Sequence, residues 1–489
     1  MYRLLLLAVA ISLPASAAAQ SWMFETIFPS ADDFREGPDD TDFEIRTSNG
    51  SYDGHGVAVD PDGKVWFQYY FATDSVQVAE FTADDPAGRN GFRDVRVTYV
   101  FNADGSEADI SPIKFVEFPG GDRDTLGGFL RRDANNDRVW EGNSNRGLRA
   151  DPTGTSLGGD VLISSFNFLY RVDYETGQGV AVRRFTDYCA ATQAASDNFD
   201  NVYIASVCPG APVRSLAGSD FSDQGNVRDE SIGFARGVEV SPDGLTVYEP
   251  RYTSTYTVLH TRDSEFGEFD STGVAFRGMR TESITHHPIT GNVWASSGSF
   301  WSGVVPNQDP TVSTNWEEVT WYEFTPAEAA ANEVPTPIST LQWNDINVEG
   351  DGTNAPRPRG LAFSPDGQTA YVAQFGDPES DSGAAQKFRA TSTPNTETGV
   401  VPGVATLQPN TPNPASGATA IRFTLDKATH ARVRLYDATG REVMTVLDES
   451  LAAGEYAREV TVADLPAGVY VYSLEVDGRT TSRRMLVVR

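Results

Sequence analysis

An internal repeat constrains the fold of this chain more than any other feature. Six segments share an alternating apolar stretch, a turn built mostly from Pro, Asp and Gly, and a second stretch with aromatic or aliphatic residues. RGVEVSPDGLTVYEP and RGLAFSPDGQTAYVAQ are the clearest copies. Proline presets φ at such a turn and glycine adopts positive φ, so each segment predicts a β-hairpin. The copies begin at His55, Arg146, Thr192, Arg236, Glu282 and Arg359.

The spacing of the copies predicts how the hairpins assemble. Copies at Thr192, Arg236 and Glu282 lie about 45 residues apart, and several continue into a third or fourth alternating strand. Such a period with four strands per unit is typical of a β-propeller. We therefore predict an all-β fold with a six- or seven-bladed β-propeller over residues 21–389. An array of β-sandwiches is the alternative, but it gives no reason for one hairpin to recur at this spacing.

Two segments bear on the number and closure of the blades. Residues 128–140 are a candidate inner hairpin of a seventh blade. Residues 42–47, DFEIRT, are a candidate outer strand for the blade that begins at Arg359. Pairing of the two ends of the domain in one blade would remove exposed strand edges.

The amino-acid sequences around the PDG turns resemble those of propellers of the NHL, lactonase-like and streptogramin-lyase-like families. The resemblance covers residues 21–389 and implies an architecture more than an activity. The lactonase-like and lyase-like families place acidic residues and histidines around a divalent metal in the central channel. Glu282 and His286 are the residues here that match this arrangement in part.

Both ends of the chain carry features of an exported protein. Residues 1–20 combine a basic Arg3, an apolar stretch and a run of small residues, which predicts a secretory signal peptide. Residues 390–406 are rich in Thr, Pro and Gly and predict a linker. Short alternating strands with turn signals fill residues 407–489 and predict a small antiparallel, Ig-like β-sandwich.

Three ordered phrases within 407–489 carry a second resemblance: PNPASGATAIRFTL, VRLYDATGREV and LPAGVYVYSLEVDGRTTSRRMLVV. In this order they resemble the type A sorting domain of the bacterial type IX secretion system. The resemblance implies recognition by the type IX secretion machinery, export across the outer membrane, and release or attachment at the cell surface.

Charge and hydropathy exclude several classes of partner. The formal net charge is −30, and only Lys64, Lys114, Lys387 and Lys427 are lysines among 38 basic residues. Such a chain repels nucleic acid and anionic membranes. A membrane-spanning helix needs about 20 apolar residues, so we predict no transmembrane segment. Cys189 and Cys208 are the two cysteines, and export to an oxidising compartment favours a disulfide between them.

The residues that open the repeat copies are the candidate binding site. The innermost strand of a blade runs along the propeller channel, so the opening residues should meet near one channel mouth. They are His55, Arg146, Thr192, Arg236, Glu282 and Arg359. Arginine binds carboxylates and phosphates in bidentate fashion, which favours an anionic small ligand or an acidic glycan. In the structural alternative, these arginines bond carbonyls or carboxylates of the neighbouring blade.

Metal binding is a weaker hypothesis, with calcium or another divalent metal as the candidate cofactor. Glu282 with His286 is one candidate pair of ligands. Asp133, Asn135 and Asp137 alternate as in the start of a calcium loop, although Arg138 replaces the glycine that an EF-hand requires.

The sequence thus favours an exported surface or secreted protein whose propeller is a non-catalytic binding module for a glycan, peptide or anionic ligand. The alternative is an extracellular, lactonase-like or lyase-like propeller enzyme with a divalent metal. The five histidines do not supply a complete catalytic set.

Overall fold

The structure is a computed structural model, and it is all-β apart from short helical turns. No helix among the described residues has the length and apolarity that a membrane crossing requires. The described residues are 21–29, 54–70, 74–79, 88–132, 138–142, 144–265, 267–297, 316–317, 319–331, 333–343, 357–375, 385–391, 405–408, 410–425, 427–437, 441–463, 465–466, 468–476 and 479–488. The predicted signal peptide and the calcium-loop candidates Asp133, Asn135 and Asp137 lie outside them.

Ten strands occupy the first part of the chain. They are β1 (Trp22–Phe28), β2 (Gly54–Val59), β3 (Val65–Tyr69), β4 (Asp74–Gln77), β5 (Phe92–Val95), β6 (Thr98–Phe101), β7 (Phe115–Glu117), β8 (Arg123–Thr125), β9 (Gly128–Arg132) and β10 (Arg138–Gly142).

Nineteen strands and one short helix follow. They are β11 (Asn145–Arg149), β12 (Val161–Ser165), β13 (Phe168–Val172), β14 (Gly179–Arg184), β15 (Ala195–Ser196), β16 (Asn201–Ile204), β17 (Val213–Ala217), β18 (Asp223–Arg228), β19 (Glu239–Val240), β20 (Thr246–Glu249), β21 (Thr257–Thr261), β22 (Asp270–Ala275), β23 (Ile284–His286), β24 (Val293–Ser297), β25 (Thr320–Phe324), α1 (Pro326–Ala329), β26 (Ser339–Gln342), β27 (Arg357–Phe363), β28 (Thr369–Phe375) and β29 (Ala385–Ala390).

Each of the six repeat copies supplies the first two strands of a small antiparallel sheet. Four sheets follow chain order: β11–β14, β15–β18, β19–β22 and β23–β26. A three-stranded sheet has the order β2-β3-β6, and the last has the order β27-β28-β29-β1. Each sheet is named below after its first strand, as in "the β2 sheet". In the β27 sheet, β1 pairs with β29 and so joins the two ends of this region.

Strand β1 fills the fourth place of the β27 sheet. The predicted residues 42–47 lie outside the described residues. A segment near the N-terminus therefore joins this sheet, as predicted, although the sequence analysis did not select β1. Strand β1 contains a register shift between Phe24 and Thr26, which breaks the alternation of apolar residues.

Hydrophobic clusters link each of these six sheets to the next along the chain, and the last to the first. Each cluster contains residues of two neighbouring sheets. Representative pairs, one residue from each sheet, are Trp66 and Leu148, Leu169 and Val202, Tyr203 and Val247, Tyr248 and Val293, Trp294 and Leu361, and Tyr371 and Phe67. The six sheets therefore pack in a cyclic order.

The first strands of neighbouring sheets approach closely, and glycine at the second repeat position permits this. A Cβ on Gly56 of β2 would lie 2.7 Å from the backbone nitrogen of Leu148 in β11. A Cβ on Gly360 of β27 would lie 2.9 Å from a methyl group of Val57 in β2. Contacts this short do not tolerate a side chain, so larger residues here would push the first strands apart.

The hairpin predicted at residues 128–140 is present as β9 and β10, but it forms a two-stranded sheet. Strands β4 with β5 and β7 with β8 form two further pairs. Strands β2 and β11, the first strands of two neighbouring sheets, are in direct contact. Val76 of β4 and Val95 of β5 belong to the hydrophobic cluster that contains Phe67 of the β2 sheet.

The C-terminal part has its own core. Its strands are β30 (Ala405–Leu407), β31 (Thr411–Ser416), β32 (Ala418–Leu425), β33 (Thr429–Asp437), β34 (Glu442–Leu451), β35 (Gly454–Thr461), β36 (Gly468–Val476) and β37 (Arg479–Val487). Strands β30, β31 and β35 pair with β32, while β34-β33-β36-β37 form a second set that meets the first at β31. Apolar faces of both sets share one cluster, which includes Phe423, Val433 and Tyr472.

The two cysteines form the predicted disulfide. Cys189 and Cys208 are bonded, with their Cα atoms 5.9 Å apart. The bond ties the segment that precedes β15 to the loop that follows β16. The disulfide prediction is therefore confirmed.

Candidate functional site

The structure brings five of the six predicted site residues together: His55, the three arginines and Glu282. His55 and Arg146 are the second residues of β2 and β11, Arg359 is the third residue of β27, and Arg236 lies three residues before β19. The electrostatic environment of His55 includes all three guanidinium groups. We call His55, Arg146, Arg236 and Arg359, with the aromatic residues around them, the arginine pocket.

Aromatic rings surround the guanidinium groups. The Cζ atom of Arg146 lies 5.4 Å from the ring centre of Tyr70 and 5.1 Å from that of Phe166. Arg236 lies 4.6 Å from the ring centre of Tyr252 and donates to its hydroxyl at 3.3 Å.

Arg359 and His55 share a fourth ring, that of Phe375. Arg359 lies 5.0 Å from the ring centre of Phe375, and the ring of His55 lies 6.0 Å from it. Such cation–π contacts hold a guanidinium in place and leave its in-plane N–H groups available.

Glu282 is the acidic partner in this group. Its carboxylate forms an ion pair with the guanidinium of Arg359, and both side chains are buried. Among the residues that the structure describes, the buried Nε atoms of Arg146, Arg236 and Arg359 have no hydrogen-bond partner. A buried donor without a partner costs about 1–3 kcal/mol, so this arrangement favours an acceptor supplied from outside the described residues.

The electrostatics of the pocket agree with its geometry. Burial and the positive charges of Arg359, Arg146 and Arg236 hold the pKa of His55 well below its ordinary value. Burial and the charge of Arg236 likewise hold the pKa of Arg359 well below its ordinary value. Burial is also the main cause that lowers the pKa of Arg146. The protein itself therefore disfavours positive charge here, and an anion would reverse this effect.

Thr192, the sixth predicted residue, has a structural contact. It is fully buried, and its hydroxyl accepts a hydrogen bond from the backbone N–H of Ala205 at 3.1 Å. The next residue, Gln193, donates its backbone N–H to the carbonyl of Arg236 at 2.9 Å. Thr192 thus stabilises the β15 sheet beside the pocket.

The candidate metal ligands are bound to other partners. Glu282 pairs with Arg359, whereas Nδ1 of His286 lies 2.7 Å from a carboxylate oxygen of Glu239. Within the described residues, no three His, Cys, Asp or Glu side chains are placed to hold a metal ion. Glu282 and His286 therefore do not fit the metal centre that the lactonase-like resemblance implies.

Towards the other end of the same first strands lies a cavity of about 210 Å³. It is lined by residues from the first strand of each of the six sheets, for example Val57, Arg149, Ser196, Glu239, Thr285 and Leu361. Arg149 forms an ion pair with Glu239 and donates to the hydroxyl of Thr285 at 2.5 Å. Arg149 and Thr285 belong to the β11 and β23 sheets, which are three places apart in the cyclic order.

The sequence analysis did not select Arg149 and Glu239, although the repeat contains a signal for them. Aligned by their opening residues, the copies have Ala58, Arg149, Ala195, Glu239, Thr285 and Ala362 at the fourth position. Three of these are polar at a position that an inward-facing apolar pattern assigns to alanine. These polar residues occupy the same repeat position in sheets that are distant in sequence. They were the signal from which Arg149 and Glu239 could have been selected.

The C-terminal part matches a known family. Residues 411–488 match the model of the secretion system C-terminal sorting domain. This confirms the sorting domain that the three phrases predicted. The domain marks the protein for export by the type IX secretion system to the cell surface or the extracellular space.

The remaining comparisons are less specific. No curated protein matches the chain. A solved structure of a luciferin-regenerating enzyme is 11% identical with a TM-score of 0.38, and the match covers 72% of this chain and 95% of that one. A protein of unknown function from Bacteroides thetaiotaomicron VPI-5482 is 11% identical with a TM-score of 0.39, covering 76% of each chain. Likenesses this weak do not establish an architecture or an activity.

Proposed function

We propose that the protein is an exported six-bladed β-propeller whose arginine pocket binds an anionic extracellular ligand, such as an acidic glycan. In this proposal residues 21–389 form the propeller, 390–406 the linker, and 407–489 the domain that the type IX secretion machinery recognises. The propeller is a non-catalytic binding module.

The propeller architecture is supported by the cyclic packing of the six sheets. Their first strands line one cavity, and Arg149 reaches from the β11 sheet to Thr285 in the β23 sheet. Side chains from such distant sheets meet when first strands surround a common axis. Strand β1 pairs with β29, so the two ends of the proposed propeller meet within one sheet.

The binding role rests on one observation: three arginines from different sheets converge, and each has a buried Nε without a partner among the described residues. Glu282 forms an ion pair with Arg359. Guanidinium groups bind carboxylate and sulfate groups through paired N–H donors. Cation–π contacts with Tyr70 and Tyr252 hold the guanidinium groups of Arg146 and Arg236 in place for such an acceptor.

The test is anion binding by the exported protein, residues 21–489. Isothermal titration calorimetry would compare glucuronate, a sulfated disaccharide and an uncharged methyl glycoside. We expect at least one anion to bind and the Arg236→Gln and Arg146→Gln variants to lose at least about tenfold in affinity, the equivalent of one charge-assisted hydrogen bond. The matched control is Arg184→Gln, because Arg184 is exposed on the outer strand β14.

Equal anion binding by all variants would contradict the proposal, as would the absence of binding by any anion at about 10 mM. If instead Arg236→Gln and Arg146→Gln unfold the protein, these arginines serve the structure, which is the structural alternative above. The hydrolase or lyase alternative has no further support from the described residues, because no three His, Cys, Asp or Glu side chains among them are placed to hold a metal ion.

A further inference from the structure

The cavity at the Glu239 end of the first strands is independent of the arginine pocket. Its volume of about 210 Å³ far exceeds the ~10–15 Å³ that one water requires by the same measure. It is smaller than the ~300–1,000 Å³ of sites for drug-sized ligands. A single sugar residue or a compound of similar size suits this space.

Charged side chains in the cavity hold one histidine in a defined orientation. Glu239 is buried, with a side-chain exposure of 3%. One of its carboxylate oxygens binds Arg149 and the other lies 2.7 Å from Nδ1 of His286. A carboxylate at Nδ1 favours the tautomer that carries its proton there, so Nε2 is left as a hydrogen-bond acceptor. Within the described residues, Nε2 of His286 has no hydrogen-bond partner.

Further polar groups surround this acceptor. The carboxamide of Asn198 lines the cavity and has no side-chain partner among the described residues. The hydroxyls of Ser156 and Ser196 are hydrogen-bonded to each other at 2.7 Å at the cavity wall. The cavity thus combines hydrogen-bond acceptors and donors. A ligand hydroxyl can bind to either kind of group, because it both donates and accepts hydrogen bonds.

The charges argue against an anionic ligand. Arg149 and Glu239 neutralise each other, and the carboxylate of Asp151 accepts from the backbone N–H groups of Thr153 and Ser156. No unpaired cation among the described lining residues attracts an anion. Val57, Leu361 and Phe363 supply an apolar wall for the C–H face of a sugar.

We propose that this cavity is a second binding site, which takes a single uncharged sugar residue and binds one of its hydroxyls through Nε2 of His286. Glu239 is the positioning residue for that imidazole, and Asn198 is the second polar contact. This site requires no metal and no anion.

The experiment uses the exported protein and methyl glycosides of glucose, galactose, mannose and N-acetylglucosamine, with glucuronate as the charged counterpart. Binding is measured by saturation-transfer NMR and calorimetry. We expect at least one uncharged glycoside to bind, and His286→Phe and Asn198→Ala each to weaken it by about tenfold or more, the equivalent of one hydrogen bond. Arg236→Gln, in the arginine pocket, should leave this binding unchanged.

Three results would overturn the proposal: no glycoside binds at about 10 mM, both variants bind as the wild type does, or only glucuronate binds. Asn198→Ala keeps the test decisive if His286→Phe does not fold, because Asn198 lies in a partly exposed turn. The Arg236→Gln variant separates the two sites, so a failure here leaves the anion-binding proposal standing.

Discussion

The buried ion pair between Glu282 and Arg359 shows how a single residue serves both the structure and the candidate site. Both side chains are almost inaccessible to solvent, with exposures of 1% and 2%. Removal of one partner from a buried pair costs about 3–5 kcal/mol, whereas replacement of both is often neutral. Arg359 therefore anchors the β27 sheet to the start of β23 as well as lining the pocket.

The Arg359→Met variant tests this dual role. We expect the free energy of unfolding to fall by about 3–5 kcal/mol, because the Glu282 carboxylate stays buried without its guanidinium. The double variant Glu282→Met with Arg359→Met should be more stable than the single variant. Urea denaturation measures both. Additive losses in the double variant would show that the two side chains do not depend on each other.

The buried side chain of His287 should make the free energy of unfolding fall as the pH is lowered. It is 1% exposed, and burial lowers its pKa from 6.5 to about 4. Its Nδ1 accepts from the backbone N–H groups of Ile289 and Thr290, so protonation there breaks the turn. Between about pH 4 and 6.5 the unfolded chain binds the extra proton, so stability falls as the pH falls, by up to about 3 kcal/mol.

The His287→Asn variant retains a side-chain acceptor and lacks the titrating ring. Its free energy of unfolding, measured in urea at about pH 7 and about pH 5, should change less between the two values than that of the wild type. His55, whose pKa is also lowered, contributes in the same direction in both proteins. An identical change in variant and wild type would rule out His287 as a source of acid sensitivity.

At the scale of the hairpin, one repeat position fixes every turn. The sixth residue of each copy accepts a hydrogen bond from a backbone N–H of its own turn through its side chain. These residues are Asp60, Asp151, Asp197, Ser241, His287 and Ser364. The sequence predicted the turns from Pro and Gly, and this acceptor explains why the copy at Thr192 turns without a PDG motif.

Asp197 accepts the most hydrogen bonds of these six residues. Its carboxylate accepts from the backbone N–H groups of Phe199 and Asn201, from the Asn201 carboxamide and from the Tyr203 hydroxyl. We expect Asp197→Ala to cost about 3 kcal/mol or more, because several buried donors lose their acceptor. Ser241→Ala, at the same repeat position with one backbone contact, should cost about 1 kcal/mol. Equal losses of stability in the two variants would contradict this account.

At the scale of the whole molecule, the sequence predicted the repeating units better than their boundaries and closure. Hairpins and the C-terminal sandwich follow from local alternation and turn residues, which the sequence displays directly. The closing strand β1 was missed because its register shift at Phe24 and Thr26 breaks the alternation that identifies a strand. The polar pair Arg149 and Glu239 was missed because it forms only when two distant copies face each other.

Closure by β1 is the feature on which the cyclic packing depends, and its deletion is the corresponding test. Trp22 packs against Trp294 and Phe363, with ring centres 6.0 and 5.6 Å apart, and Phe28 packs against Tyr371 at 5.0 Å. Loss of the buried Phe28, of the half-buried Trp22 and of the pairing with β29 should cost at least about 5 kcal/mol.

The expected result for a chain that begins at residue 30 is a marked loss of thermal stability in the six-sheet part, measured by calorimetry. The core around Phe423 and Tyr472 contains residues 407–487 only. The melting temperature of this C-terminal part should therefore be unchanged and serve as an internal reference. Glu25→Gln is the matched control, because its contact with Arg389 is largely exposed and is weakened by solvent screening. If the six-sheet part of the truncated protein melts at the same temperature as that of the wild type, the packing of the six sheets does not depend on β1.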